Sequence, residues 1–374
     1  MAILNEVSVN SVLVSNIPAP YREPVFEEVS LQLAGNFSVF YCQQVEPDRK
    51  WTFRLGAYQR VFLIGKTFTY NRIYAHHVHL NLSVWKELSR VDPQVVITNG
   101  YNPTHLLAMI WTILHRRVHV AMTDGWLKSE EHLSFVHRLI RKVVLRRTSA
   151  FIGASNKSRA FFCAYGASDV ACFTSQLCGN NEAFLAEKGD DRTYDIMFSG
   201  QFIARKMPAF FCEVAKKLKY KRGSLRVLLI GDGPLRTKVL ETLRLHGIDY
   251  NYPGFLSQEE LPAQYALAKL FLFPTLQECW GVVVNEACAA GTPVITCDNT
   301  AVDGELVFDG FNGRVLPLNA QIWADAADQL LNDKERWALF SKRSRQIVAP
   351  FTYHHAAQGI VDAVQFAASR GVAK

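Results

Sequence analysis

The segment Pro274 to Asp298 reads PTLQECWGVVVNEACAAGTPVITCD and sets two carboxylates, Glu278 and Glu286, eight positions apart in apolar surroundings. LFLFPT (270–275) reads as a buried strand, LQECWG as the loop at its carboxyl end, and VVVNEACAAG as a helix closed by Gly291. Glu278 then sits in the loop and Glu286 about one and a half turns into the helix. The amides around Trp280, Gly281 and Val282 open that helix and can hold an anion. Alone, two glutamates at this spacing also describe surface charge. Their place in a strand–loop–helix–strand series, followed by Gly-Thr-Pro, is what marks them.

The elements that must position these residues form two strand–helix series. In the first, strands are expected at 7–16, 37–42, 94–100, 117–125 and 150–155, with helical spacing between them. In the second, strands are expected at 195–200, 226–233, 270–275 and 293–298, and a last helix at 351–369 follows Pro350. Strands alternating with helices imply parallel sheets covered on both faces. The polar stretch between the two series reads as a linker. The expected organisation is residues 1–177 with 351–374, a linker at 178–194, and residues 195–350. Two such domains would face each other across a cleft at the carboxyl ends of their strands, where open α/β sheets bind ligands.

Composition agrees with a globular chain. Of 374 residues, 49% are hydrophobic and 20% charged, and the formal charge is +7. This mild excess favours anionic small molecules or a membrane surface over duplex DNA, and no nucleic-acid module is visible. The longest apolar run, LLAMIWTIL at 106–114, is far short of a membrane span. The first residues, MAILNEVSVN, lack a basic leader segment and carry Glu6, so no signal peptide is expected. The eight cysteines form no CxxC pair and read as buried small hydrophobes in a reducing compartment. His76, His77 and His79 lack a nearby carboxylate or cysteine set in sequence and read as an exposed polar turn or helix face. In Gly231-Asp232-Gly233-Pro234 the dinucleotide fingerprint fails at Arg236, and a tight turn with Pro234 opening a helix is expected.

The segment around Glu278 and Glu286 resembles the E-x7-E signature of retaining GT-B glycosyltransferases, specifically family 4. FSGQFIARKMP (198–208), LLIGDGP (228–234), YPGFLSQEELPAQYALAKLFLFPT (252–275) and ELVFDGFNGRVLPLN (305–319) are similar to that family's blocks in order and spacing. IPAPYREPVF and VAMTDGW match the N-terminal half in outline. The resemblance implies an α/β chain of the GT-B fold, with two Rossmann-like domains facing a cleft and the C-terminal helix crossing back. It implies transfer of a sugar from a nucleotide diphosphate, UDP by family frequency, to a hydroxyl of a glycan, a lipid-linked acceptor or a small molecule, with retention and no metal or other cofactor. Polysaccharide biosynthesis in the cytoplasm is the expected setting.

By the same resemblance, Lys206 meets the diphosphate. Gln201 stands where the family has an arginine, and Arg205 is either its substitute or a solvated charge. Glu278 faces the donor sugar, binding its hydroxyls or stabilising the reacting centre, and Glu286 takes the ribose hydroxyls. Gly200, Gly231, Cys279, Trp280, Gly281 and Val282 line the donor, and Gly254 and Phe255 border the base. Asp124 occupies the place near the transfer centre where the family has a histidine. It would orient or deprotonate the acceptor with a raised pKa, or else cap a turn. Tyr21 and Arg22 lie on the acceptor side. The basic, interleaved segment 137–149, with Arg138, Arg141, Lys142, Arg146 and Arg147, is either a helix packed by its apolar stripe or a membrane-docking helix at the inner face. The alternatives to a transferase are a GT-B phosphorylase or sugar-nucleotide epimerase, and a nucleotide-sugar-binding protein without catalysis.

Overall fold

A computed structural model describes residues 9–46, 51, 54–70, 76–186 and 192–371. Residues 1–8, which carry the leader reading and the start of the first expected strand, lie outside the described residues, as do 187–191 of the expected linker. The chain divides into two units, one of Met1–Leu177 with Tyr353–Lys374 and one of Cys178–Thr352.

The first unit runs β1 (Ser11–Ser15), α1 (Glu23–Gln32), β2 (Phe37–Tyr41), β3 (Gln59–Phe62), β4 (Lys66–Tyr70), β5 (His76–Leu80), α2 (Ser83–Val91), β6 (Val95–Asn99), α3 (Pro103–Leu114), β7 (Val118–Thr123), α4 (Phe135–Arg146), β8 (Ala150–Gly153), α5 (Asn156–Ala164) and β9 (Cys172–Thr174). A parallel sheet has the order β3-β2-β1-β6-β7-β8-β9, while β4 and β5 pair antiparallel as a separate ribbon. β1, β2 and β7 are buried along their whole length, as continuous apolar runs with both faces covered require. The chain leaves β1 toward β2 on one side and returns to its other side with β6, so the direction of winding reverses between β1 and β6. Such a switch point opens a crevice at the strands' carboxyl ends.

The second unit runs α6 (Asn181–Ala186), β10 (Tyr194–Ser199), α7 (Pro208–Arg222), β11 (Arg226–Ile230), α8 (Arg236–Leu245), β12 (Asp249–Gly254), α9 (Leu261–Ala266), β13 (Ala268–Phe273), α10 (Val282–Ala289), β14 (Val294–Thr296), β15 (Gly313–Val315), α11 (Ala320–Asn332) and α12 (Lys334–Val348). Its parallel sheet has the order β12-β11-β10-β13-β14-β15, with the switch point between β10 and β13. Phe198, Leu229, Leu270, Leu272 and Trp323 are among the residues of its core. The last helix, α13 (Tyr353–Arg370), belongs to the first unit and packs on α1, β8 and β9. Gly359 passes so close to the sheet that a Cβ there would stand 1.8 Å from the Thr174 carbonyl oxygen.

Several expectations are corrected. The stretch at 178–194 is not all linker, because α6 forms within it and packs on α10. Pro234 does not open a helix. It lies in a turn in which the Leu235 N–H donates to Phe202 O, and α8 begins at Arg236. His77 and His79 lie on a strand, not on an exposed turn or helix face. Their two-residue spacing turns both toward one side of the ribbon, where His79 Nε2 is 3.3 Å from Glu46 Oε1 and His77 Nε2 4.0 Å from Glu46 Oε2. Glu46 is the carboxylate that their sequence neighbourhood lacked.

Candidate active site

In the second unit, the residues singled out from sequence gather at the switch point. β10 ends at Ser199 and leads into Gly200 and half-buried Gln201, and the chain turns through Ala204–Lys206 before Pro208 opens α7. β13 ends at Phe273 and leads into the Glu278 loop. The two loops are stitched together: the Leu276 N–H donates to Arg205 O at 2.9 Å and the Thr275 hydroxyl to the same oxygen at 3.2 Å. The Glu278 N–H is fixed by Asn299 O at 2.9 Å.

This stitching brings three charges to one point. Arg205 Nη1 donates to Glu278 Oε2 at 2.8 Å and to Gln277 O at 3.1 Å, and the Lys206 ammonium contacts the same Oε2. Arg205 is thus turned inward and is not a solvated flanking charge. Lys206 also lies 5.3 Å from the centre of the Phe273 ring. Burial alone would push the Glu278 carboxyl up, but Lys206 and then Arg205 outweigh it and hold it below its ordinary value. The trio carries one more positive than negative charge, which suits an anion.

Glu278 leads into α10 through Trp280, whose indole N–H donates to Asn285 Oδ1 at 2.8 Å, and through Gly281. Gly281 has φ +106°, and a Cβ there would lie 2.6 Å from the Phe273 ring, so only glycine fits this helix entrance. Cys279 and Val282 flank it, half-buried. Glu286, one turn further, is buried, and its Oε2 has no hydrogen-bond partner. Burial raises its pKa to about 7, with the Tyr265 hydroxyl acting in the opposite direction. A buried acceptor without a donor is an unsatisfied place that a ligand hydroxyl would fill. Gly231 and Gly254 are joined by a hydrogen bond of 2.8 Å at neighbouring strand ends, and the Phe255 side chain beyond them is exposed.

In the first unit, Arg22 and Asp124 are brought together at the carboxyl end of the sheet. Arg22 Nη2 donates to Asp124 Oδ1 at 2.7 Å, and Nη1 donates to Ser175. Asp124 is therefore an ion-pair member and not a lone turn cap. Tyr21 packs edge-on to Trp51 with ring centres 5.9 Å apart. Sequence reading missed Ser175, because nothing at position 175 announces a contact 153 residues away. It also missed Tyr265, whose hydroxyl donates to Ser199 Oγ at 2.8 Å at the end of β10.

On α4, Arg141 is buried. Its Nη2 donates to Glu130 Oε1 at 3.0 Å and its guanidinium stacks 4.3 Å over Tyr101. The apolar residues expected to pack do so only in part. Val144 and Leu145 are buried, whereas Phe135, Val136, Leu139 and Val143 are exposed beside Arg138, Lys142, Arg146 and Arg147. Among the described residues no group of histidine, cysteine, aspartate or glutamate could hold a metal ion, and no helix is long and apolar enough to cross a membrane. All eight cysteines are free thiols, and Cys163 and Cys279 are the two that are not buried.

Residues 182–347 match the model of the family described as Glycosyl transferases group 1. The chain is 29% identical over 149 residues to the alpha-D-kanosaminyltransferase of Streptomyces kanamyceticus, covering 39% of this chain and 38% of that protein. It is 26% identical over 261 residues to the 2-deoxystreptamine N-acetyl-D-glucosaminyltransferase of Niallia circulans, covering 67% and 64%. The matches thus span less than two thirds of the length of either relative. Among solved structures it is similar to Anabaena Alr3699/HepE in complex with UDP and glucose, with a TM-score of 0.72 at 14% identity over 96% of this chain and 99% of that one. The chain has the GT-B fold, and its residues 182–347 are similar to the family of glycosyl transferases group 1.

Proposed function

We propose that this chain transfers a sugar from a nucleotide-diphosphate donor, a UDP-sugar in the first instance, to a hydroxyl of a glycan, glycolipid or other small acceptor, with retention of configuration and without a metal ion. The observation that carries this reading is the convergence of Arg205 and Lys206 on Glu278 beside the first turn of α10. As the glycosidic bond breaks, negative charge grows on the departing diphosphate. Two cations and a helix N-terminus stabilise that charge more in the transition state than before it. Glu278 holds these cations in place and presents a carboxylate to the sugar, and the unsatisfied Glu286 oxygen receives a ribose hydroxyl. The name of the Niallia circulans relative favours an aminocyclitol acceptor, and HepE with UDP and glucose supports the choice of base.

The acceptor side is assigned to Asp124, with one carboxylate oxygen held by Arg22 and the side chain 29% exposed. For α4 we propose contact with an anionic membrane surface. Phe135, Leu139 and Val143 recur four residues apart in one exposed row, and Arg138, Lys142 and Arg146 repeat the same spacing beside it.

The test is a thermal-stabilisation screen of UDP, GDP and their sugars, followed by UDP release from UDP-glucose with and without 2-deoxystreptamine or inositol. Stabilisation by UDP that is lost in K206A supports the assignment. No stabilisation by any nucleoside diphosphate overturns it.

A further inference from the structure

We infer that Arg22 is a positioning residue that locks the Asp124 carboxylate for the attacking hydroxyl. This rests on the reading that Asp124 serves the acceptor. Arg22 lies in the connection between β1 and α1, and its side chain is 4% exposed. Nη2 donates to Asp124 Oδ1 at 2.7 Å, just after β7. Nη1 donates to Ser175 Oγ at 3.1 Å and Ser175 O at 3.3 Å, just after β9. Ser175 is itself fully buried, with its N–H bound to Gly153 O at 2.9 Å beneath it. One guanidinium therefore bolts together the chain segments that follow three different strands.

The direction of the arrangement is what assigns the role. The arginine is the inner partner and the aspartate the outer one. Among the described residues no hydrogen bond reaches Asp124 Oδ2, so that oxygen is left for a hydroxyl while Oδ1 is held. A guanidinium can do this because its planar fork reaches two partners at once, whereas an ammonium on the same stem would serve one of them well. Arg22 is too enclosed to meet a substrate directly, so its effect must pass through Asp124.

Hydrolysis of UDP-glucose, in which water takes the place of the acceptor, tests this in wild type, R22Q, R22K, D124N and the double variants. R22Q is expected to lower kcat about tenfold or more, with the KM for UDP-glucose and stabilisation by UDP unchanged within about twofold. R22K is expected to fall between R22Q and wild type. In the D124N background neither Arg22 substitution is expected to slow the reaction further, since both act on one carboxylate. If R22Q does not fold, R22K carries the same cycle. Wild-type kcat in folded R22K together with R22Q, or losses that multiply with that of D124N, would overturn the role of Arg22. A D124N variant as fast as wild type would overturn the reading of Asp124 and this inference with it. An impaired D124N beside an unaffected R22Q would overturn the inference alone.

Discussion

Arg205 holds Glu278 through Oε2 at 2.8 Å, and the neighbouring Lys206 ammonium meets that same oxygen. Under the proposed function, a diphosphate would therefore compete with this carboxylate for the same two cations. Substituting Gln for Glu278 should release them. E278Q is expected to bind UDP at least as tightly as wild type by calorimetry, while sugar transfer falls by about a hundredfold or more. Weakened UDP binding together with intact transfer would contradict both halves. K206A should do the reverse and lower UDP affinity by about tenfold or more.

Glu286 gives the fold a pH dependence. Its ordinary value is 4.5, and burial raises it to about 7 against the pull of the Tyr265 hydroxyl. The folded state therefore holds this proton more tightly than the unfolded chain. That contribution is complete below about pH 4.5, declines as pH rises toward 7 and is gone above it. E286Q, neutral throughout, should gain on wild type by up to ~2–3 kcal/mol on going from pH 5 to pH 8, read from denaturant melts at both values. An equal gap at the two pH values would show that the carboxyl is not perturbed.

Gly281 is the hinge on which the helix entrance turns. G281A should cost at least ~2 kcal/mol, because it combines a left-handed backbone with a Cβ driven into the Phe273 ring. The melting temperature should fall, and stabilisation by UDP should shrink with it. An unchanged melt would mean that the loop relaxes without strain.

The triple variant R138E/K142E/R146E should reduce co-sedimentation with anionic vesicles about tenfold or more, and F135S/L139S should reduce it as well. R141A should instead lower the melting temperature, since that arginine is committed to Glu130. Vesicle binding that ignores both surface variants would retire the membrane assignment.

Transfer should continue in excess EDTA at a rate within about twofold of the untreated enzyme, because Lys206, Arg205 and the start of α10 carry the charge stabilisation in this reading. A rate restored only by a divalent cation would contradict it.

Much of the second unit was legible in the sequence because each of its parts has a local signal. Long apolar strands end in glycine turns, Pro208 opens a helix, and Glu278 and Glu286 flank a helix start. β12 and β15 were not legible. One is a polar edge strand containing a proline and the other spans only Gly313–Val315, so neither displays a buried alternating run. In the first unit β1, β2, β6, β7 and β8 were legible, whereas the short strands β3, β4, β5 and β9 were not, and neither were the partnerships. The bond of Arg22 to Asp124 spans 102 positions and that of His79 to Glu46 spans 33, and each depends on which strand ends the sheet order makes neighbours. The exposed apolar row on α4 escaped for a related reason. Helical spacing shows that a stripe exists, but not whether anything covers it.

The return of α13 to the first unit has a consequence for biosynthesis. While the ribosome is still extending the chain through Cys178–Thr352, β8, β9 and α1 wait without their cover, and the carbonyl of Thr174 has no Gly359 to pass beside it. The amino-terminal half can mature only after residues 353–370 have emerged, so a stop codon near position 350 would leave the earliest-made half of the polypeptide open-sided and prone to aggregate in the cell.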